Sequence, residues 1–392
     1  MAKFFASCPT GMSDVLEKEL QSFGLKTWEK STGGVVFESN WAGCYKANLN
    51  SRFASRILKP VLDFPAYQGE DLYNNIRKHD FTKYIEPNQT IAIDAVVKEC
   101  KINDQRFVAM KMKDAIVDQF REKFGVRPNV DSENPDLRIH VRGHKNNYSV
   151  AIDTSGSSLF MRGYRLKTGE APLKENLAAG LIALAEWDLK TPLVDLFCGS
   201  GTILIEAAMM ALNIAPGLQR KSFGFMNYKD FDEEVWEKVV QEAIEQEKEE
   251  LDFKLYGYDL DKKVLDIAKK NAKNAGVLEH IIFKNTAVSV ALPPETAPGM
   301  IICNPPYGAR IGDEDNLKDV YRDLGFTLKH RFTGWTAWVL SGNKDLLQEM
   351  KLKSTRRVFV YNGNIECRFL KYEMYEGSAR KEKPALVAQV SK

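Results

Sequence analysis

The sequence predicts an α/β protein in which two small α+β units precede a C-terminal doubly wound parallel sheet. Three observations carry this expectation. After residue 165, short apolar runs alternate with helical stretches, the pattern of a sheet covered on both faces. A glycine turn, "FCGSGT" at 197–202, joins one of those runs to a helix. Before residue 160 the chain instead mixes period-two strands with amphipathic helices and lacks that regular alternation.

Taken in order, residues 1 to about 60 hold the short strand "KFFASC", a helix "SDVLEKELQSF" with Ser13 as its cap, and a strand "GGVVFES" entered through Gly33 and Gly34. From about 65 to 160 come a helical stretch near "EDLYNNIRKH", the strand "TIAIDAVV", the helix "VAMKMKDAIVDQFREKFG", and the strands "LRIHVRG" and "YSVAIDTSG". Beyond "RGYR" at 162–165 the apolar strands are "TPLVDLF", "FKLYGYD", "HIIFKN", "GMIICN" and "GWTAWVLSG". The Glu/Lys-rich "EEVWEKVVQEAIEQEKEE" reads as an exposed inserted helix, and "SARKEKPALVAQVSK" as a loosely held tail.

At 392 residues, with 44% apolar and 28% charged residues, the chain has room for two or three ordinary globular domains. The N-terminus has no apolar core followed by a cleavage site, and no window nears eighteen uninterrupted apolar residues, so a cytoplasmic protein without membrane association is expected. The six cysteines lie far apart with no zinc-type spacing, which predicts free thiols and no metal. Net charge is only +2, yet eight Lys and Arg face five acids between Lys98 and Arg127. That stretch reads equally as a phosphate-binding face, with Lys111, Arg121 and Arg127 as contacts, or as a solvated helix face with interleaved charges.

The strongest local signal is "LVDLFCGSGTILIEAAMMAL", a strand, a glycine turn and a helix. Gly199 and Gly201 permit a tight turn and close backbone approach, while the free amides at the start of the helix face the turn. The next apolar strand ends at Asp259, where a carboxylate can accept both hydroxyls of a ribose. A third strand ends in "NPPYGAR". Proline cannot donate to a ladder, so Pro305 and Pro306 stop the strand and hold the chain extended, which leaves Asn304 and the Pro305 carbonyl as acceptors. Such a corner suits a flat amino-bearing group.

Together, Asp-x-Phe-x-Gly-x-Gly-Thr at 195–202, Asp259 and Asn-Pro-Pro-Tyr at 304–307 resemble class I S-adenosylmethionine-dependent methyltransferases. The resemblance implies a Rossmann-like sheet whose glycine loop (Asp195, Phe197, Gly199, Ser200, Gly201, Thr202) holds the methionine part of S-adenosyl-L-methionine. Asp259 then holds the ribose, and Asn304 contacts cofactor and substrate. An exocyclic amine is a poor nucleophile because its lone pair is delocalised. With Asn304 Oδ1 and the Pro305 carbonyl accepting its two hydrogens, the nitrogen is pushed towards tetrahedral geometry, and Tyr307 stacks on the base. The proton can leave afterwards, so no general base is required. The motif family modifies adenine N6, guanine N2 or a glutamine amide.

"GGVVFES", "NLNSRFASRIL", "DAIVDQFREKFGVRP", the junction "SGSSLFMRGYRLKTGEAPLKENLAAGLIALAEW", "GYDLDKKVLDIAKKNAKNAGV" and "YNGNIECRF" extend the resemblance over nearly the whole chain. They are similar to bacterial methyltransferases carrying a THUMP RNA-binding domain, nearest the 23S ribosomal RNA guanine-N2 methyltransferase family. The implied plan is a ferredoxin-like unit at 1–62, a THUMP domain at 63–161 and a methyltransferase domain at 162–392. The implied partner is RNA, large-subunit ribosomal RNA first; transfer to tRNA guanine or to adenine N6 of DNA are the alternatives. Gly163, Tyr164 and Pro172 fall in the junction that closes over the cofactor. Ala287 stands where relatives carry an acid near the cofactor adenine, with Asn285 as a substitute, and Ala309 stands before Arg310, a candidate phosphate or base contact.

Overall fold

The computed structural model describes residues 1–165, 173–308 and 314–375; Pro172, Ala309, Arg310 and the expected loose tail lie outside them. The first half forms a single sheet of eight strands, β1 (Ala2–Ser7), β2 (Lys26–Ser31), β3 (Gly34–Ser39), β4 (Arg56–Pro65), β5 (Thr90–Lys98), β6 (Asn129–Val130), β7 (Leu137–His144) and β8 (Asn147–Asp153). Their order is β2-β3-β1-β4-β8-β7-β5-β6. Helices α1 (Ser13–Ser22), α2 (Trp41–Asn50), α3 (Gly69–Ile76) and α4 (Gln105–Phe124) pack against it.

The two units expected to be separate therefore share one sheet. Strand β4 pairs antiparallel with β1 on one side and β8 on the other, and it runs across the boundary expected at residue 62. Pro60 and Pro65 hide this strand in the sequence. They are tolerated because β1 pairs only with Arg56, Ile57 and Leu58, leaving the proline half of β4 with one open edge, and because the register shifts between Pro60 and Leu62. Ser13 is not the cap of α1 as expected: it is the first helical residue, and the cap position belongs to the buried Met12, whose side chain forms no cap bond.

The second half is built from α5 (Glu175–Leu184), β9 (Leu193–Asp195), α6 (Thr202–Ala211), α7 (Glu233–Glu245), β10 (Leu255–Asp259), α8 (Lys262–Asn274), β11 (Ile281–Asn285), β12 (Met300–Cys303), α9 (Glu314–Arg331), β13 (Thr336–Ser341), α10 (Lys344–Glu349), β14 (Arg356–Asn362) and β15 (Ile365–Glu373). The strand order is β11-β10-β9-β12-β13-β15-β14. The first five strands are parallel, as the alternation predicts, but β15 runs antiparallel to both β13 and β14. Gly363, with φ +62°, makes that hairpin turn. Side chains of successive strand residues feed two cores, Leu193 and Ile302 on the face covered by α5, α6 and α8, and Val194 and Ile301 on the face covered by α9 and α10.

Helix α7 is not simply exposed. Val239 and Ala243 are buried, and Trp236 meets Tyr45 of α2 edge-on at 6.1 Å and Phe225 at 5.3 Å. Its apolar residues recur three and four apart, so one face closes against the first half while the acidic face stays in water. The halves are also joined by a buried ion pair. Arg162 is 1% exposed, donates to the Ser51 carbonyl at 3.4 Å and the Arg52 carbonyl at 2.5 Å, and lies 3.4 Å from the fully buried Glu206 of α6. Tyr164 donates to the other Glu206 oxygen at 3.1 Å.

Removing one partner leaves an uncompensated buried charge. Arg162→Ala should therefore lower the unfolding free energy by about 3–5 kcal/mol in a urea titration, and Arg162→Met with Glu206→Leu should lower it less.

Candidate active site

The site is dictated by where the strand order reverses. Strands β9 and β12 are neighbours, yet β9 leads through α6 to β10 on one side and β12 leads through α9 to β13 on the other. Their carboxyl ends, Asp195 and Cys303 followed by Asn304, thus open into a crevice at which α/β sheets bind ligands.

On the β9 side the chain turns through Gly199 and Gly201, both in the left-handed region (φ +53° and +85°). A Cβ on Gly201 would lie 3.2 Å from the Ala268 Cβ, while around Gly199 there is open space. Phe197 N–H donates to Asp195 Oδ1 at 3.0 Å and Gly199 N–H to Asp259 Oδ2 at 2.9 Å. The Ser200 carbonyl accepts from Asn271 Nδ2 of α8 at 3.1 Å. Helix α6 begins at Thr202, and its cap residue, Gly201, has no side chain to satisfy the first amides of the helix. The Thr202 hydroxyl accepts from Arg165 at 2.9 Å.

The two acids have different surroundings. Asp195 is 1% exposed, and burial, with the Asp259 charge adding to it, pushes its carboxyl up to about 8. Asp259 is half-buried and holds backbone amides with both oxygens, Gly199 on Oδ2 and Asp261 on Oδ1 at 2.9 Å. Asn285, which with the backbone was a candidate for the adenine side, donates to the carbonyls of Asp259 at 3.0 Å and Leu260 at 2.8 Å. Its amide braces the end of β10. Ala287 precedes a short helical turn over 288–290.

On the β12 side Asn304 Oδ1 is buried and has no hydrogen-bond partner among the described residues, a state that costs about 1–3 kcal/mol in an isolated acceptor. Seven other buried side-chain atoms share that condition, all of them nitrogens except Asn176 Oδ1, which lies within α5; Asn304 follows the end of β12 at the switch point. Pro305 is buried and Pro306 exposed. The Tyr307 hydroxyl accepts from Asn362 at 2.9 Å and from the Cys367 thiol at 3.7 Å, and burial pushes its phenol up. A Cβ on Gly342 would meet the Tyr307 ring at 2.9 Å. Gly342, Asn362 and Cys367 were not expected as part of the site. Only "YNGNIECRF" carried a signal, since its Asn-Gly turn marks a hairpin but not what the hairpin holds.

The structure thus brings together Asp195, Phe197, Gly199, Ser200, Gly201, Thr202, Asp259, Asn304, Pro305 and Tyr307 around one crevice, while Arg310 lies outside the described residues. Lys111 and Arg121 lie elsewhere, on α4, and Arg127 just beyond it. There Lys111 faces Glu70 at 3.8 Å, Arg121 Asp118 at 3.1 Å, Lys113 Asp114 at 3.1 Å and Lys123 Asp80 at 3.4 Å. Interleaved acids neutralise much of that face. Among the described residues no cluster of His, Cys, Asp or Glu suits a metal ion, and no helix is long and apolar enough to cross a membrane. Five cysteines are buried and Cys100 is half-buried; all six are free thiols.

A mostly parallel sheet with this strand order, a glycine loop on its first strand and Asn-Pro-Pro-Tyr on its fourth defines a methyltransferase of the doubly wound type. Residues 162–371 match the RMKL-like methyltransferase domain, residues 67–153 the THUMP domain and residues 3–58 the RlmL ferredoxin-like domain. The chain belongs to the RMKL-like methyltransferase family. It is 40% identical to "Putative RNA methyltransferase slr0064" of Synechocystis sp., over 95% of this chain and 97% of that protein. It is 39% identical to "Ribosomal RNA large subunit methyltransferase K/L" of Shewanella amazonensis over 98% of its own length, spanning about half, 55%, of that longer relative. The crystal structure of SMU.472, a "putative methyltransferase complexed with SAH", superposes with a TM-score of 0.86 at 30% identity, covering 96% of this chain and 99% of the other.

Because Asp195 is raised from 3.8 to about 8, its proton is taken up on folding between those values. The stability it confers is complete below pH about 4 and is lost as pH rises through about 8. Asp195→Asn, which keeps an acceptor for Phe197, should remove that loss. Urea titrations at several pH values between 4 and 9 should show the variant gaining stability relative to the parent as pH rises.

Proposed function

We propose that the protein transfers a methyl group from S-adenosyl-L-methionine to the exocyclic N2 amine of a guanine in RNA, with 23S ribosomal RNA as the substrate. The observation that carries this reading is the buried, unpartnered Asn304 Oδ1 at the switch point. A hydrogen-bond acceptor kept there at a cost fits an amine that arrives with the substrate. The relatives named for RNA, and for the ribosomal large subunit, support the choice of polymer.

The residues present fit the cofactor. Gly199 and Gly201 leave room for close approach, the uncapped start of α6 offers free amides to a carboxylate, and Asp259 stands at the strand end with oxygens that can also accept ribose hydroxyls. Bound there, S-adenosyl-L-methionine supplies an electrophilic methyl group. Asn304 Oδ1 and the Pro305 carbonyl accept the two amine hydrogens and turn the nitrogen lone pair out of conjugation. Tyr307, pinned at its hydroxyl by Asn362, offers a ring fixed in orientation for stacking on the base. Crevice and clamp hold the reacting nitrogen in line, so rate comes from orientation rather than from a base.

Residues 1–62 and 63–161, sharing one sheet, act as one body that grips folded RNA by backbone and shape, while 162–392 receives an unpaired guanine. The substrate places the enzyme in the cytoplasm. tRNA guanine is the second reading, because a tRNA enzyme uses the same plan, and adenine N6 of DNA is the third.

Asn304→Ala should abolish transfer while S-adenosylhomocysteine binding, read by calorimetry, stays within about twofold; near-normal turnover would sink the amine clamp. Nucleoside mass spectrometry on separated large-subunit RNA, small-subunit RNA and tRNA from cells with and without the gene decides the substrate. Loss of N2-methylguanosine from the large-subunit fraction is the expected result. Loss from tRNA moves the substrate, and loss of N6-methyladenosine instead overturns the base assignment.

A further inference from the structure

The face of α4, which reads equally from the sequence as phosphate-binding or as solvated, is laced with acids, which raises the question of where the chain carries cations without them. Three cavities on the described surface differ sharply in this respect. One of about 690 Å³ between α1, α6 and α7 is lined by four cations (Lys18, Lys46, Arg52, Arg356) and by as many acids, and is close to neutral. A second, of about 670 Å³, lies between residues 157–165, the start of α5 and the loop 219–222. It is lined by five Lys and Arg and by one acid, Glu175, which lies 3.0 Å from Arg165. A third, of about 470 Å³, runs from the end of β1 to the turn of the β14–β15 hairpin and has no acid in its wall.

Lys174 lines both the second and third cavities. It is exposed, and its ammonium lies 4.8 Å above the ring of Phe160. Lys221, at the far end of the second cavity, is also exposed. Among the described residues neither lysine is within ion-pair distance of an acid. The wall between them is built rather than incidental. Arg220 fixes it by donating to the carbonyls of Ser155, Ser157, Ser158 and Met161 at 2.8–3.1 Å. The third cavity ends at Tyr361, Gly363 and Asn364, which flank Asn362, the residue that holds Tyr307. The two cavities thus meet at Lys174, with aromatic and thioether surface from Phe160 and Met161 on one side and, on the other, the hairpin turn whose Asn362 holds Tyr307.

We propose that this groove, from Lys221 past Lys174 to the β14–β15 turn, seats the single-stranded RNA that flanks the target base. The claim rests on the RNA reading above and adds to it a path. A positive groove that tracks phosphates, with a ring on which a base can stack, is how proteins hold unpaired strands irrespective of sequence. Lys174 and Lys221 take phosphates and Phe160 takes a base face. The groove delivers the strand to Tyr307, whereas the larger sheet of the first half holds the folded part of the RNA.

The test uses the full chain and a short labelled single-stranded RNA of mixed sequence, with anisotropy measured over a range of salt concentrations. Lys174→Ala with Lys221→Ala should weaken binding about tenfold and lower the slope of log affinity against log salt by about 1 to 1.5, at roughly 0.7 per phosphate contact. Lys174→Glu should weaken it further. S-adenosylhomocysteine binding by calorimetry should be unchanged in both variants, which shows that the fold is intact. Lys111→Ala with Arg121→Ala should leave both affinity and slope near the parent's. If the parent binds RNA and the groove variants match it in affinity and slope, or if only the α4 variants lose binding, the groove is wrong while the RNA reading stands. If the parent binds S-adenosylhomocysteine but no RNA, or prefers duplex DNA of equal length, the RNA reading fails and the groove with it.

Discussion

Strands β9 and β12 lie side by side, and the chain leaves them towards opposite flanks of the sheet. No crossover covers the gap between their carboxyl ends, so the backbone groups there find no ladder partner and must be satisfied by turns, by side chains or by a ligand. Every feature of the site answers to that gap. The glycine loop bends back over it with bonds to Asp195 and Asp259, Asn271 braces the loop from α8, and the proline pair closes the β12 side without adding donors. What is left over, the first amides of α6 and the amide oxygen of Asn304, is the binding capacity of the crevice.

The acids at the strand ends illustrate how position alone divides similar groups. Asp195 is enclosed by the sheet and α6, and its carboxyl is driven up by burial; Asp259, one strand over at the rim, keeps both oxygens occupied by backbone amides. The enclosed acid shapes the turn through its bond to Phe197, and the rim acid is the one with access to a ligand. Tyr307 follows the same logic on the other side. Its hydroxyl is tied to the β14–β15 hairpin and its ring is pressed against Gly342, so its freedom is spent before any substrate arrives.

The two halves are joined more firmly than a flexible linker would join them. Arg162 and Glu206 are buried at the boundary, Tyr164 bonds to the same carboxylate, and α7 lays its apolar stripe on α2. Glu206 belongs to α6, the helix that begins at the glycine loop. Any shift of the first half against the second therefore acts on the helix that begins at the glycine loop, which fixes the distance between the eight-stranded sheet and the Asn-Pro-Pro-Tyr corner.

The sequence by itself determined the alternating second half. The fold class follows from periodicity, and the glycine turn at Gly199 and Gly201, the strand-end Asp259 and the proline stop after Asn304 were located correctly because each is read within a few residues. It did not reveal β4, whose prolines argue against a strand until one sees that half of that strand has a free edge. It also misassigned the inserted helix as exposed, since a partner surface across the fold decides that. The antiparallel hairpin that holds Tyr307, the shared eight-stranded sheet, and the pairing of Lys111 and Arg121 with nearby acids were decided only by tertiary structure. The physical reason is range: backbone conformation and residue chemistry are local, whereas hydrogen-bond partners, burial and charge compensation depend on which distant segments the fold brings together.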